Sequence, residues 1–360
     1  MDLRLPYAHS MSYPIVSIHI VTWNSMRFLP DLLESIMGQT FKDFNVLIID
    51  NGSTDGVETF LREHHPGIAF IRNARNLGFS VAHNQGIRYA IEHWPQAELV
   101  DRFVLLTNPD IVLNHTYLEE LMKVVRTYPQ SGAFGGKLLR AFGENVGDDV
   151  LKEVVRSDRI DSVGLNPHRN RTVSDRGAGE LDTGQYQKEE QVFGISGALV
   201  LYRASALEEV RFKDEILDAD FFAYKEDVDL AWRLQHRGWD ATYAPNAIAY
   251  HYRGMYGPEK SGWRERLWNR RQKSPLRNFF STRNHWLLLI KNVRWSDLFF
   301  SFPWMFVHET GRLVYVLVFE RFGWRAVWEA LGLFPRMWKK RHVSLHNARR
   351  PAKKIRAWFR

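Results

Sequence analysis

Residues 15–24 read IVSIHIVTWN, and the residues just beyond this run decide the fold. A short β-branched apolar run has the pattern of a buried strand. A dinucleotide-binding sheet would place G-x-G-x-x-G directly after such a first strand. Here the continuation is VTWNSMRF, residues 21–28, which holds no glycine. The strand therefore opens a different kind of α/β unit. FLPDLLESIMGQT comes next, with Leu29, Leu32, Leu33 and Ile36 at helical spacing and Pro30 suited to a first turn. FNVLIIDNGSTDG is a second strand ending in a polar cluster, and IAFIRNARNLGFS a third strand running into a glycine loop. Ser80 is placed to cap a helix over VAHNQGIRYAIEH, and DRFVLLTNPDIVL is a fourth strand. Strands alternating with helices predict a parallel sheet covered on both faces.

Residues 141–191 break this rhythm and are expected to form a long irregular insertion bordering the site. Regular structure resumes at VFGISGALVLYR, and YKEDVDLAWRLQHRG predicts a helix stopped by Gly238. The expected domains are an N-terminal extension (1–13), a catalytic domain (14–261) and an amphipathic helical region (262–360).

Composition narrows the chemistry. The chain has 360 residues and no cysteine, which excludes disulfides, a thiolate nucleophile and Cys-ligated zinc and fits a reducing cytosol. The first residues lack the apolar core of a signal peptide, and no uncharged apolar run approaches the roughly 18 residues of a spanning helix. The net charge of +8 hides an asymmetry: residues 1–250 carry 25 Lys/Arg against 35 Asp/Glu, whereas residues 251–360 carry 24 against 6. Nine of the thirteen tryptophans lie in that basic last third.

Ligands of a parallel sheet lie beyond the carboxyl ends of its strands. Four polar clusters fall at such ends: Thr22 and Asn24; Asp50, Asn51, Ser53 and Asp55; Asn76 with Gly78; Asn108 with Asp110. DNGSTDG alone reads as a turn in which Asx side chains bond their own backbone. Four such ends on one edge suit a sugar nucleotide and a divalent cation. Glu226, Asp227 and Asp229 come after the aromatic stretch DADFFAY, near apolar surface that can tune a carboxylate into a general base. The alternative is a helix start whose acids favour the dipole. His251 ends the apolar run NAIAYH and is read either as a packed histidine or as a metal ligand.

Seven stretches in this order resemble the family 2 glycosyltransferases of GT-A fold, especially the bacterial rhamnosyltransferase-like branch: VSIHIVTWN, IIDNGSTDG, NLGFSVAHNQGI, LLTNPDIVL, GISGALVLYR, DADFFAYKEDVDLAWRLQHRGW and YAPNAIAYHYRG. The resemblance spans roughly residues 14–253. It implies a Rossmann-like mixed sheet with helices on both faces and a basic aromatic helical extension. It also implies that Thr22, Asn24 and Asp50 meet the nucleoside. Asn51, Ser53, Asn76, Gly78, Asn84, Asn108 and Gly197 would complete the donor pocket. Asp110 would bind Mg²⁺ or Mn²⁺ with His251, and Asp227 would be the base beside Glu226. Asp229 and Trp232 would contact the acceptor or support the groups that do. Asn108 departs from the family's D-x-D form. With one carboxylate in place of two, the cation is expected to be secured by the donor's phosphates. Strand alternation and Pro109 are expected to turn Asn108 and Asp110 to one side.

The implied reaction is inverting transfer of L-rhamnose from dTDP-rhamnose to a hydroxyl of a saccharide, lipid-linked if the tail meets a membrane. Galactose, glucose or N-acetylglucosamine from a UDP donor is the alternative. A non-catalytic nucleotide- or saccharide-binding protein is the alternative of another class. For the tail, Trp and Phe opposite Lys and Arg suit an anionic membrane surface better than nucleic acid. His308, Glu309 and Arg312 interrupt its apolar residues, which favours lying on a bilayer over crossing it. The expected location is the inner face of the plasma membrane, from the cytoplasm. Packing of the same face on the catalytic domain, or on a second subunit of a homo-oligomer, is the alternative.

Overall fold

A computed structural model describes residues 13–143, 154–252, 274–320 and 323–359. The opening run forms β1 (Val16–Thr22), flanked in parallel by β2 (Phe44–Asp50) and β4 (Phe103–Thr107), while β3 (Ala69–Arg72) pairs with β2. Strands covered on both sides have no polar face, which explains the near-continuous burial of β1 and β4. The intervening helices are α1 (Leu29–Met37), α2 (Val57–His64) and α3 (Phe79–His93). Helix α1 buries Leu29, Leu32, Leu33 and Ile36, the residues whose spacing predicts it. Ser80 does not cap α3. The helix starts at Phe79 behind Gly78, and the buried Ser80 donates its N–H to the Phe222 carbonyl at 3.2 Å.

Past β4 come β5 (Ile111–Leu113), α4 (Tyr117–Thr127), β6 (Ser131–Gly143), β7 (Val154–Ser162), β8 (Leu165–Pro167), β9 (Val173–Asp175) and β10 (Glu190–Val192). Next in the chain are β11 (Leu199–Arg203), α5 (Ala204–Glu209), α6 (Glu226–Arg237) and β12 (Asp240–Tyr252). The main sheet runs β10-β12-β6-β11-β4-β1-β2-β3, with β5 on β12 and β7 on β6. The array β3-β2-β1-β4 is parallel as expected; β11 is antiparallel to both β4 and β6, beyond which β12 is again parallel to β6. That reversal sets Leu199 opposite Thr107, so β11 begins at the edge where β4 ends.

The expectation of an irregular 141–191 segment is corrected: its described part carries β7, the β8–β9 hairpin and β10. Asp161 and Ser162 are buried in it, polar residues at positions where a periodicity count looks for apolar ones.

The C-terminal region forms α7 (Pro275–Asn292), α8 (Trp295–Phe319), α9 (Gly323–His346) and α10 (Ala352–Arg356). Leu287, Leu288, Val293, Met337 and Phe359 share one buried cluster with Phe193, Phe221, Val228 and Trp232, so these helices have a common core with the sheet domain. Lys291 reinforces the junction, 2.7 Å from Asp218 and 2.8 Å from Asp229. Lys340 reaches Asp218 as well, and stands 2.9 Å from Asp220. The expected boundary at 261/262 lies outside the described residues, as does the N-terminal extension apart from Tyr13.

Candidate active site

The ends of β1 and β2 are stitched together. Thr22 Oγ1 donates to Asp50 Oδ1 at 2.8 Å, and the Ser53 N–H donates to Asp50 Oδ2 at 2.9 Å. Asn24, at φ 51°, donates its N–H to Ser53 Oγ at 2.9 Å and accepts the Thr54 N–H at 2.9 Å. Asn51 carries the net to the next loop, donating to Asn76 Oδ1 at 3.3 Å and to the Gly78 carbonyl at 3.2 Å. Gly78 has φ +85°, and a Cβ there would lie 2.5 Å from the Phe222 ring, so no side chain is accommodated. Thr22, Asp50, Asn51 and Ser53 are all buried, making this net the floor of the candidate donor pocket.

The Asn108-Pro109-Asp110 triplet leaves β4 and enters β5. Pro109 and Asp110 form a turn, so strand alternation does not set their directions as expected. Pairing of β5 with β12 places Ile111 opposite His251. His251 Nε2 thereby stands 3.4 Å from Asp110 Oδ1, and its Nδ1 is 2.8 Å from Asp161 Oδ2. Burial would lower the pKa of His251, but the Asp110 and Asp161 carboxylates outweigh it and raise it to about 9. Asp110 Oδ1 is itself buried without a close hydrogen-bond partner among the described residues. A carboxylate oxygen left open beside an imidazole oriented by a second carboxylate fits a divalent cation.

Helix α6 supplies the acids. The Gly197 N–H donates to Asp227 Oδ2 at 3.0 Å, and the carbonyl of the next residue, Ala198, accepts the Asn108 N–H at 2.9 Å. Two consecutive residues before β11 thus hold the base candidate on one side and the triplet on the other. A Cβ on Gly197 would lie 3.0 Å from Asp227 Cβ, tighter than ordinary contact. Glu226 is buried, and its Oε2 makes no hydrogen bond among the described residues. Burial, and then the charge of Asp227, push its pKa up to about 8. Just upstream, Phe222, Tyr224 and Lys225 have φ of 62°, 70° and 75°. Such backbone costs on the order of 1–3 kcal/mol per non-glycine residue and persists only where neighbours enforce it. Asn284 on α7 does so: its Nδ2 lies 2.8, 2.8 and 2.7 Å from the carbonyls of Phe221, Ala223 and Tyr224.

The profile described as glycosyl transferase family 2 matches residues 17–211, more than half of the chain. The chain belongs to glycosyl transferase family 2. It is similar to the N-acetylglucosaminyl-diphospho-decaprenol L-rhamnosyltransferase of Mycobacterium tuberculosis, 28% identical over 243 residues that cover 66% of this chain and 76% of the relative. Rhamnosyltransferase WbbL of Escherichia coli is 25% identical over 246 residues, covering 66% and 83%. Among solved structures, Staphylococcus aureus TarS 1–349 in complex with UDP superposes with a TM-score of 0.51 at 15% identity, covering 92% of this chain and 88% of that one. GalNAc-T7 with UDP, GalNAc and Mn²⁺ gives 0.54 at 12% identity, covering 81% and 51%. The fold is GT-A, and this family 2 member is a rhamnosyltransferase-like glycosyltransferase. The profile match ends before Asp227 and His251, so their placement rests on the geometry above.

Asn84, expected in the donor pocket, and Asp229 and Trp232, expected at the acceptor or in support of its contacts, all lie in the interior of this glycosyltransferase. Asn84 is buried and bridges residues 216–217, its Oδ1 accepting the Leu217 N–H at 2.9 Å and its Nδ2 donating to the Leu217 carbonyl at 2.6 Å. Asp229 is buried between Arg233 at 2.8 Å and Lys291 at 2.8 Å, and its carboxyl is held below the ordinary range because those cations outweigh the cost of burial. Trp232 is fully buried against Phe193 and Phe359. Asp229 and Trp232, three residues apart on one face of α6, are covered by α7 and by Phe359, which fits a supporting position for both and not direct contact with an acceptor. Asp161 and Asn284 are residues that sequence reasoning missed. Asp161 lies in a stretch read as irregular, and Asn284 acts through backbone carbonyls, which leave no sequence pattern.

Proposed function

We propose that this family 2 enzyme transfers L-rhamnose from dTDP-rhamnose, with inversion at the anomeric carbon, to a hydroxyl of a saccharide carried on a polyprenyl diphosphate. The observation that carries the reading is the link from Asp227 through Gly197 and Ala198 to the Asn108–Asp110 turn, which supports a base at Asp227 next to a cation and diphosphate site at the turn. The relatives named for L-rhamnosyl transfer, one with an N-acetylglucosaminyl-diphospho-decaprenol acceptor, support the donor and the acceptor class.

In the proposed step the acceptor oxygen bonds to the anomeric carbon while its proton passes to Asp227. The bond from that carbon to the diphosphate oxygen breaks, and the electron pair leaves with the nucleoside diphosphate. Glu226, its pKa pushed up to about 8 by burial, is the member of the pair that keeps a proton, and the less buried Asp227 is the one that would reach a hydroxyl. Asp110 and His251 would hold Mg²⁺ or Mn²⁺, which as a Lewis acid offsets the charge gathering on the leaving diphosphate. Asn108 contributes no carboxylate, so donor phosphates and water complete the shell. The protein would work in cell-surface polysaccharide assembly, lying on the cytoplasmic face of the membrane through α8 and α9.

A donor screen tests the reading by following nucleoside diphosphate release from dTDP-rhamnose, UDP-galactose, UDP-glucose and UDP-N-acetylglucosamine. The dTDP sugar is expected to be turned over in preference. Asp227→Asn is expected to lower turnover by about 10²–10⁴-fold while donor affinity is kept. Preference for a UDP sugar would overturn the donor assignment. Turnover unchanged in Asp227→Asn would overturn the mechanism.

A further inference from the structure

His308 and Glu309, which interrupt the apolar run of α8, do not simply face solvent. They turn toward His285 on α7. His285 Nε2 lies 2.8 Å and His308 Nδ1 lies 3.1 Å from the same oxygen, Glu309 Oε1, and the three ligand atoms fall within 4.8 Å of one another. The other carboxylate oxygen is occupied: Trp286 Nε1 donates to Glu309 Oε2 at 2.9 Å, and Arg312 Nε is 3.9 Å from it. This division leaves Oε1 alone directed at the two imidazoles, the one-oxygen presentation that a metal-binding carboxylate adopts when its partner oxygen is held by a neighbouring donor.

We propose that His285, His308 and Glu309 form a second metal site, separate from the donor site, which takes a Zn²⁺-class cation. Two imidazoles and one carboxylate oxygen suit this borderline-soft ion, with water in the fourth position of a tetrahedron. Bonds of about 2.0–2.1 Å place tetrahedral ligand atoms about 3.3 Å apart. Two of the present spacings therefore need to widen by only a few tenths of an ångström. His285 is buried. His308 is half-buried, which leaves a path for the ion. The site would pin α8, whose outer face is exposed and aromatic, to α7. Asn284, the neighbour of His285, holds the strained turn before Asp227. The cation is thus a staple between the outer helix and the base-bearing loop.

Co²⁺ titration of the full chain, freed of metal with a chelator, reads this directly. The intense visible absorption of four-coordinate Co²⁺ is separable from the weak absorption of an oxygen-rich octahedral site. The wild-type chain and Asp110→Asn are both expected to develop the band at one equivalent and to lose it to one equivalent of Zn²⁺. His308→Ala, a change at a half-buried surface position, is expected to weaken Co²⁺ binding at least tenfold with an unchanged circular dichroism spectrum. Trp286→Phe, which frees Oε2, is expected to weaken it by about 10–100-fold. Absence of the band in the wild type would overturn the proposal. So would a band that survives His308→Ala but is lost in Asp110→Asn.

Discussion

Glu226 and Asp227 are adjacent in sequence and opposite in circumstance. Asp227 takes two backbone N–H groups, from Gly197 at 3.0 Å and Val228 at 2.8 Å. Glu226 is buried, and its Oε2 takes none. Its pKa of about 8 in the fold lies above the ordinary carboxylate value, so between roughly pH 4.5 and 8 the folded chain holds a proton that the unfolded chain has released. Stability from this group is complete below the unfolded pKa and falls as pH rises through the folded one. Glu226→Gln, neutral at every pH, removes that dependence. Relative to wild type, the variant is expected to gain melting temperature on going from pH 5 to pH 8.5, by a few degrees. A difference between the two proteins that is flat with pH would refute the buried-proton assignment. The acid pair was legible in the sequence, but the division of labour within it was not, because burial and amide contacts decide which acid keeps its proton.

At the scale of elements, α6 is well signalled by its acidic first turn and by Gly238, at φ 98°, after its last residue. Its entry is not signalled at all. Phe222, Tyr224 and Lys225 adopt positive φ without being glycine, and local preference alone would reject that path. The path is imposed from outside, by Asn284 and by Arg283, whose Nη2 donates to the Asp220 carbonyl at 2.7 Å. Asn284→Ala removes donors to three carbonyls and frees the turn to relax. It is expected to lower kcat by about 10–100-fold, the cost of a base displaced by about an ångström, with donor dissociation constants unchanged. Asn284→Asp keeps the shape without the donors and is expected to behave alike. Equal loss of donor affinity in both variants would mean that the helix supports the whole fold and not the base in particular.

Across the whole molecule, α8 and α9 leave Phe299, Phe302, Trp304, Phe306, Trp324 and Trp328 exposed, on the third of the chain that carries most of its excess positive charge. No helix among the described residues is long and apolar enough to cross a membrane. Exposed aromatic side chains on two helices of the basic third of the chain support the proposed seat on an anionic lipid surface. Replacing Phe299, Phe302 and Phe306 together by Ser is expected to weaken cosedimentation with anionic vesicles about 100-fold, as each inserted ring contributes at least about 1 kcal/mol. Raised salt should weaken wild-type binding too. Equal binding by the triple variant, or no preference for anionic over neutral vesicles, would count against the surface. Point changes are the right probe, because removing the C-terminal helices would also open the core they share with Trp232 and Phe193.

The sequence by itself determined the β1–α1–β2 alternation, the parallel strands, the polar strand ends and the basic aromatic tail. Each is written in local periodicity or in charge, which one segment can carry. Tertiary structure decided the rest. The antiparallel return of β11 brought Gly197 and Ala198 between Asp227 and Asn108, and β12 brought His251 to Asp110. Asp161 sits in a stretch without apolar period, and Asn284 bonds main-chain atoms across about 60 residues. The tail's division into a docked and an exposed face was likewise settled by packing. These features come from contacts between distant segments, whose partners no local pattern names.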